Sequence, residues 1–263
     1  MPASAQKQRA DSEQKAGVYI YGILPGDVEM AADMPGVGDP PGQVEVVRSG
    51  DLAALVSEVD LSRPLGSPED LSAHKEVLDG SAVGAPVLPV RFGAVVASED
   101  AVKDELLEPH HDEFAAALRE LDGRAEYMVR ARYVEQAILK EVLSENREAA
   151  RLQEEIRGGD EDATRDARIQ LGEIISEAIT AKREKDTQAL LDAMADKCVT
   201  SAVREPSHEL DAANVAFLMD TSREKDIEQV IDDLADNWDG RVELRLLGPM
   251  AAYDFVGNIE PEG

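Results

Sequence analysis

The chain has 263 residues and a net charge of −28, from 55 acidic and 27 basic side chains. That balance argues against nucleic acid and anionic lipid membrane as partners, because both are held through Lys and Arg. A single cysteine, Cys198, rules out an internal disulfide framework, and no run of about 18 apolar residues offers a membrane span.

The length favours two domains, each able to bury a core. Acids are scattered along every segment, and arginine outnumbers lysine, 18 to 9. We read this as adaptation to high salt, where screening relieves self-repulsion.

Residues 1–16 lack the apolar core of a secretion signal and are expected to form a disordered polar tail. Order is expected from Gly17. Val18 to Leu24 is β-rich and ends at Pro25-Gly26, and a Pro/Gly-rich loop follows over 35–42. Val44 to Arg48 and Leu52 to Ser57 flank Ser49-Gly50-Asp51 and predict a hairpin. Ser67-Pro68-Glu69 opens a helix that places Leu71, His74 and Leu78 on one face.

In APVLPVRFGAVV, Leu88, Val90 and Phe92 alternate with Pro89 and Arg91, and Gly93 ends or bulges the strand. Arg91 is therefore expected opposite the core face, beside Tyr19 and its alternating neighbour Tyr21 on a partly open sheet. A helix from about Ser98 must break, kink or restart at Pro109. Its stripe continues through Phe114, Leu118 and Leu121 to Asp122-Gly123, where the domain boundary is placed.

Beyond it, Glu126 to Tyr133 alternates as a strand with Met128, Arg130 and Arg132 on one face. A long helix is expected from Val134 to about Ile156 and a second from Ala163 to Val203, an antiparallel hairpin spanning about 134–203. Strand, helix and strand then follow at Asn214 to Met219, around Ile227 to Trp238, and at Val242 to Leu247. The fold class is α+β, with helices on one face of each sheet. It divides into a modified ferredoxin-like N-terminal domain over 17–122 and an α+β C-terminal domain over 123–263 with the helical hairpin.

No nucleotide-binding loop or catalytic motif is present in the sequence. His110-His111-Asp112-Glu113 has metal-ligand residue types, but neighbouring helical histidines diverge by about 100°. His74 reads as a core histidine and Cys198 as a buried small hydrophobe within a helix. Neither a cofactor nor a metal is expected, and the reading is of a protein that is not an enzyme.

Several separate motifs, in order, resemble the gas vesicle protein L/F family. They are GVYIYGIL at 17–24, DLSAHKEVL at 70–78, VLPVRFGAVV at 87–96, LDGRAEYMVRARY at 121–133, ELDAANVAFLMD and LRLLGPMAAYDFV. The closing motif keeps Gly248, Pro249, Tyr253 and Phe255 of a family pattern similar to GPWPPYSF. It departs at Met250, Ala251, Ala252 and Asp254. The polar N-terminal extension favours the L type, and the acidity resembles the haloarchaeal branch.

The resemblance implies a cytoplasmic, gas-vesicle-associated accessory protein that binds the shell protein, gas vesicle protein A, and other accessory gas vesicle proteins. Its role would be that of assembly chaperone or scaffold, with a minor wall component or a small-ligand-binding domain as alternatives. The motif residues His74, Leu88, Pro89, Phe92, Gly93, Gly248, Pro249, Tyr253 and Phe255 are expected to be structural. Arg91, Tyr19, Tyr21, Arg130 and Arg132 have the composition of a partner-binding surface.

Overall fold

The computed structural model describes residues 16–29 and 34–257. The expected tail lies outside them except for Ala16, which opens the first strand. Two compact units emerge: one runs to Glu126 and takes in the segment from Pro249, and the other is Tyr127–Gly248. The closing motif, expected with the second half, thus packs in the first, where Ala251 N–H and Tyr253 OH donate to Asp79 Oδ1 at 3.2 and 3.0 Å.

The first unit is built on β1 (Ala16–Pro25), β2 (Glu45–Ser49) and β3 (Leu52–Asp60), followed by α1 (Pro68–Ala82). Two short strands, β4 (Leu88–Pro89) and β5 (Val95–Val96), both pair antiparallel with β1. The order is β2-β3-β1-β4, so β1 is central. Val18 to Leu24 are buried without interruption, as a strand covered on both sides must be. Helix α1 and a later helix, α3 (His111–Leu121), both contact β1. Between them, α2 (Glu99–Ala101) continues as a π turn, Val102–Leu107, and the chain restarts after Pro109.

Helix α1 begins with a capping box between Ser67 and Asp70. Asp70 is buried and also accepts N–H groups from Gly66, Ser67 and Gly38. Burial alone would push this carboxyl up, but those backbone donors outweigh it and hold it below the usual carboxylate range. The buried stripe is consequently Asp70, His74, Val77, Leu78 and Ser81, and Leu71, expected on it, is half-exposed.

The second unit carries β6 (Arg124–Tyr133), β7 (Thr200–Val203), β8 (Asp211–Asp220) and β9 (Val242–Met250) in the order β7-β8-β6-β9. The expected first long helix is two, α4 (Glu135–Glu145) and α5 (Arg147–Gly158). Asn146 breaks it by accepting the Glu148 and Ala149 N–H groups at 3.0 Å. The second, α6 (Arg165–Met194), stops before Cys198, so residues 200–203, expected as helix, are strand, and Cys198 sits half-buried in the turn between. Helix α7 (Glu224–Asn237) precedes β9.

An ionic network ties these helices to the sheet. Arg241 donates to Glu141 of α4 at 2.7 Å and to Asp186 of α6 at 2.8 Å. Lys182 donates to the same Glu141 at 2.6 Å, and Tyr133 OH to Asp186 at 2.6 Å. Burial would raise Glu141, but Arg241 and Lys182 together hold it below the usual range.

Candidate functional site

The motif around Arg91 is assembled by β1. Leu88 and Pro89 pair with Ile23 and Gly22, and Val95 and Val96 with Tyr19 and Val18. Residues 90–94 must therefore span what Ile20 and Tyr21 span on β1, and the surplus leaves the edge as a loop. Three hydrogen bonds close it: Val90 N–H to Tyr21 O at 2.9 Å, Ala94 N–H to Arg91 O at 3.3 Å, and Ile20 N–H to Ala94 O at 3.0 Å. Gly93 takes φ of +91°, which a side chain would oppose.

The loop interrupts the expected alternation. Leu88 and Val90 are buried, but Phe92 turns to the other aromatic rings, 5.9 Å from Tyr19 and 5.4 Å from His74 in edge-on packing. Arg91 is exposed at the tip.

Tyr19 and Tyr21 are not surface residues, contrary to expectation; both are fully buried. Tyr19 OH meets His74 Nδ1 at 2.9 Å and accepts the Gly93 N–H at 3.1 Å, so it anchors the loop from beneath. Tyr21 OH accepts the Val37 N–H at 2.7 Å and meets Ser57 Oγ at 2.8 Å. A Cβ at Gly36 would collide with that hydroxyl, which explains why a Gly-rich loop covers it. The two tyrosines thus position the Arg91 loop and the 35–42 loop instead of offering a surface themselves.

The cluster is neutral. Burial pushes His74 down to about 4, offset in part by Asp79, and pushes both tyrosines above their ordinary values. A base that weak is poorly matched to proton transfer near neutrality, so the arrangement positions groups; it is not poised for acid–base chemistry. A cavity of about 280 Å³ opens beside it, lined by His74, Pro89, Arg91, Phe92 and Tyr253 among others.

Motifs separated in sequence are therefore brought together: Tyr19, His74, Phe92, Gly93 and Tyr253 all border this region. Gly248, with φ of +130°, and Pro249 lie in β9, and Phe255 is half-buried in the turn that follows. Ser57 and Asp79, which complete the polar contacts, gave no sequence signal, because Asp79 meets Tyr253 across 174 residues.

Arg130 and Arg132 are exposed on β6, in the second unit. Arg130 Nε is 3.3 Å from Met128 Sδ, and Arg132 is 3.8 Å from Asp211. His111 of the His-His-Asp-Glu run pairs with Asp51 at 2.5 Å and Asp112 at 3.1 Å.

Residues 17–257 match the family model described as gas vesicle synthesis protein GvpL/GvpF. The chain is 34% identical over 243 residues to gas vesicle protein F of a Streptomyces species, covering 90% of this chain and 98% of that protein. Against gas vesicle protein L of the same species the identity is 27% over 273 residues, covering 93% and 94%. The crystal structure of GvpF from Anabaena sp. superposes with a TM-score of 0.75 at 24% identity, covering 92% of this chain and 98% of that one. The sequence is thus nearer this F protein than this L protein, against the expectation from the N-terminal extension. Both relatives are streptomycete, so acidity alone does not place the chain in the haloarchaeal branch.

Proposed function

The chain belongs to the gas vesicle synthesis protein GvpL/GvpF family, and from that premise we propose that it is a non-catalytic accessory protein that binds the vesicle shell protein and other accessory gas vesicle proteins. A shell subunit that polymerises into a wall must carry apolar and β-edge surface before it is incorporated, and such surface aggregates. A soluble, strongly acidic partner masks that surface and releases it at the growing wall. Among the described residues, no helix is long and apolar enough to cross a membrane.

The observation that carries this reading is the Arg91 loop. An exposed arginine in a chain of net charge −28 stands on a loop whose base is fixed by buried Tyr19. Arginine on a preorganised support has the character of an interface anchor. Exposed Arg130 and Arg132 of the second unit form a further contact patch in this proposal.

The test is capture of purified shell protein at molar salt by the wild-type chain, Arg91→Ala and the Arg130→Ala/Arg132→Ala double variant. Wild type is expected to retain the shell protein and Arg91→Ala to retain about tenfold less, as loss of a hot-spot arginine does. Equal capture by wild type and Arg91→Ala would remove the loop from the interface. Capture by none of the chains would overturn the shell protein as partner.

A further inference from the structure

The strands at the sheet edges are protected unequally. At one edge of the first sheet, β2 carries Glu45 and Arg48, and the Arg48 guanidinium donates to Gly26 O and Val28 O at 3.0 Å. At one edge of the second, β9 carries Glu243 and Arg245. Charge on an edge discourages another chain from pairing with it. The other edge of the second sheet, β7, has none: Cys198 to Val203, CVTSAV, is uncharged in a chain that is 31% charged. Val199 and Val203 are 48% and 58% exposed there.

The direction of its free backbone groups follows from the ladder with β8. Thr200 to Val203 pair antiparallel with Leu218 to Val215, and just beyond the strand Arg204 N–H donates to Asn214 O at 2.8 Å. Backbone groups of an antiparallel strand alternate between its two sides. Ala202, like Arg204, therefore turns its N–H and C=O to β8, and Ser201 and Val203 turn theirs outward. Among the described residues no further strand pairs with β7. Beside it, a cavity of about 360 Å³ lies between the β7–β8 hairpin and α6, with Val203, Ala213 and Leu191 among the residues that line it.

We propose that β7 takes up an extended strand of the shell protein, hydrogen-bonded to Ser201 and Val203, with one apolar side chain of that strand in the cavity. Strand addition draws affinity from main-chain bonds and selectivity from such a pocket. Charge selects the occupant. Pairing β7 with β7 of a second copy would join two chains of −28 each, whereas a neutral or basic strand meets no such repulsion. The inference rests on the reading that the shell protein is the partner, and it does not rest on the Arg91 loop.

The test combines capture of purified shell protein with residue-resolved hydrogen exchange of the full-length chain, both at molar salt. In the free chain the Ala202 amide is expected to be protected and the Ser201 and Val203 amides to exchange freely. Bound shell protein is expected to slow both at least about tenfold. Ser201→Pro removes an outward N–H and Val203→Lys sets a charge on the edge, and neither removes a bond to β8. Each is expected to lower capture about tenfold, the scale of one lost main-chain hydrogen bond. Their urea midpoints by Trp238 fluorescence should stay at the wild-type value, and Val203→Thr should hold wild-type capture.

Capture with Ser201 and Val203 still exchanging as in the free chain, or equal capture by both variants, would overturn the strand site and leave the shell protein as partner. Failure of capture by wild type overturns both readings, so the two are separable. Protection of these amides that grows with chain concentration, without shell protein, would assign the edge to a second copy and overturn the proposal as well.

Discussion

Beside the buried Asp70 carboxylate, the first unit holds a neutral polar cluster, whereas the cluster of the second unit is ionic. In the first, Tyr19 and His74 beneath the Arg91 loop, and Tyr21 and Ser57 beneath the 35–42 loop, form hydrogen bonds between neutral atoms. In the second, Arg241, Glu141, Lys182, Asp186 and Tyr133 form a network of charges that joins α4 and α6 to the sheet. Neutral networks fix geometry with little dependence on salt, whereas an ionic network rests on pairing each desolvated charge. The difference suits their places: a loop that must present one arginine is set on uncharged supports, and the charges are spent where long helices need fastening.

The largest effect is expected from breaking the ionic network. Asp186→Ala leaves Arg241 short of one partner and the Tyr133 hydroxyl without its acceptor, and removal of one member of such a pair costs about 3 kcal/mol. Trp238 is the only tryptophan and lies in the second unit, so its fluorescence in urea reports that unit directly. A loss near zero would mean that packing, and not charge, fastens α6.

The neutral cluster is expected to fail in acid. His74 has a folded-state pKa of about 4 against an ordinary 6.5, because burial disfavours the imidazolium more than nearby Asp79 restores it. The unfolded chain therefore takes up a proton that the folded chain refuses as pH falls from 6.5 to about 4. Stability of the first unit drops across that window by up to about 3 kcal/mol. Hydrogen exchange of β1 amides in wild type and His74→Gln checks it: the variant should lose this component of the acid slope. An identical slope in both chains would place the acid sensitivity elsewhere.

His74 also shows how much could be read from the chain. Its helix and its interior position were legible from helical spacing and the Ser67-Pro68 start, and the α+β class from the alternation of patterns. The face was not, because Asp70, a residue that spacing alone assigns to solvent, is buried by backbone donors from two loops. The break at Asn146 was hidden for a related reason. Ile138, Val142, Ala149 and Leu152 keep helical spacing across it, and only the side-chain cap reveals two helices. At the site, Arg91 was expected on a sheet face beside Tyr19 and Tyr21, but it stands on a loop and both tyrosines are buried. Strict alternation cannot register a loop whose surplus residues arise from pairing with β1, and the bond between Tyr19 and His74 spans 55 residues.

The smallest effect tests whether a charged contact of the first unit behaves as the second unit's charges do. His111, at the start of α3, meets Asp51 in the β2–β3 turn and its neighbour Asp112, and those bonds raise its pKa above 6.5. The sign is opposite to that of His74. A raised histidine stabilises fully below 6.5, and the contribution is lost as pH rises through the folded value. Both side chains are well exposed, so solvent and salt screen the pair. The melting temperature of wild type should thus exceed that of His111→Asn below pH 6.5, converge with it in mild alkali, and do so at any pH in molar salt. Asp51→Asn should reproduce the pattern. If the gap survives both alkali and salt, the contact holds through its neutral hydrogen bond. The first unit would then rely on uncharged contacts at its surface as it does beneath the Arg91 loop.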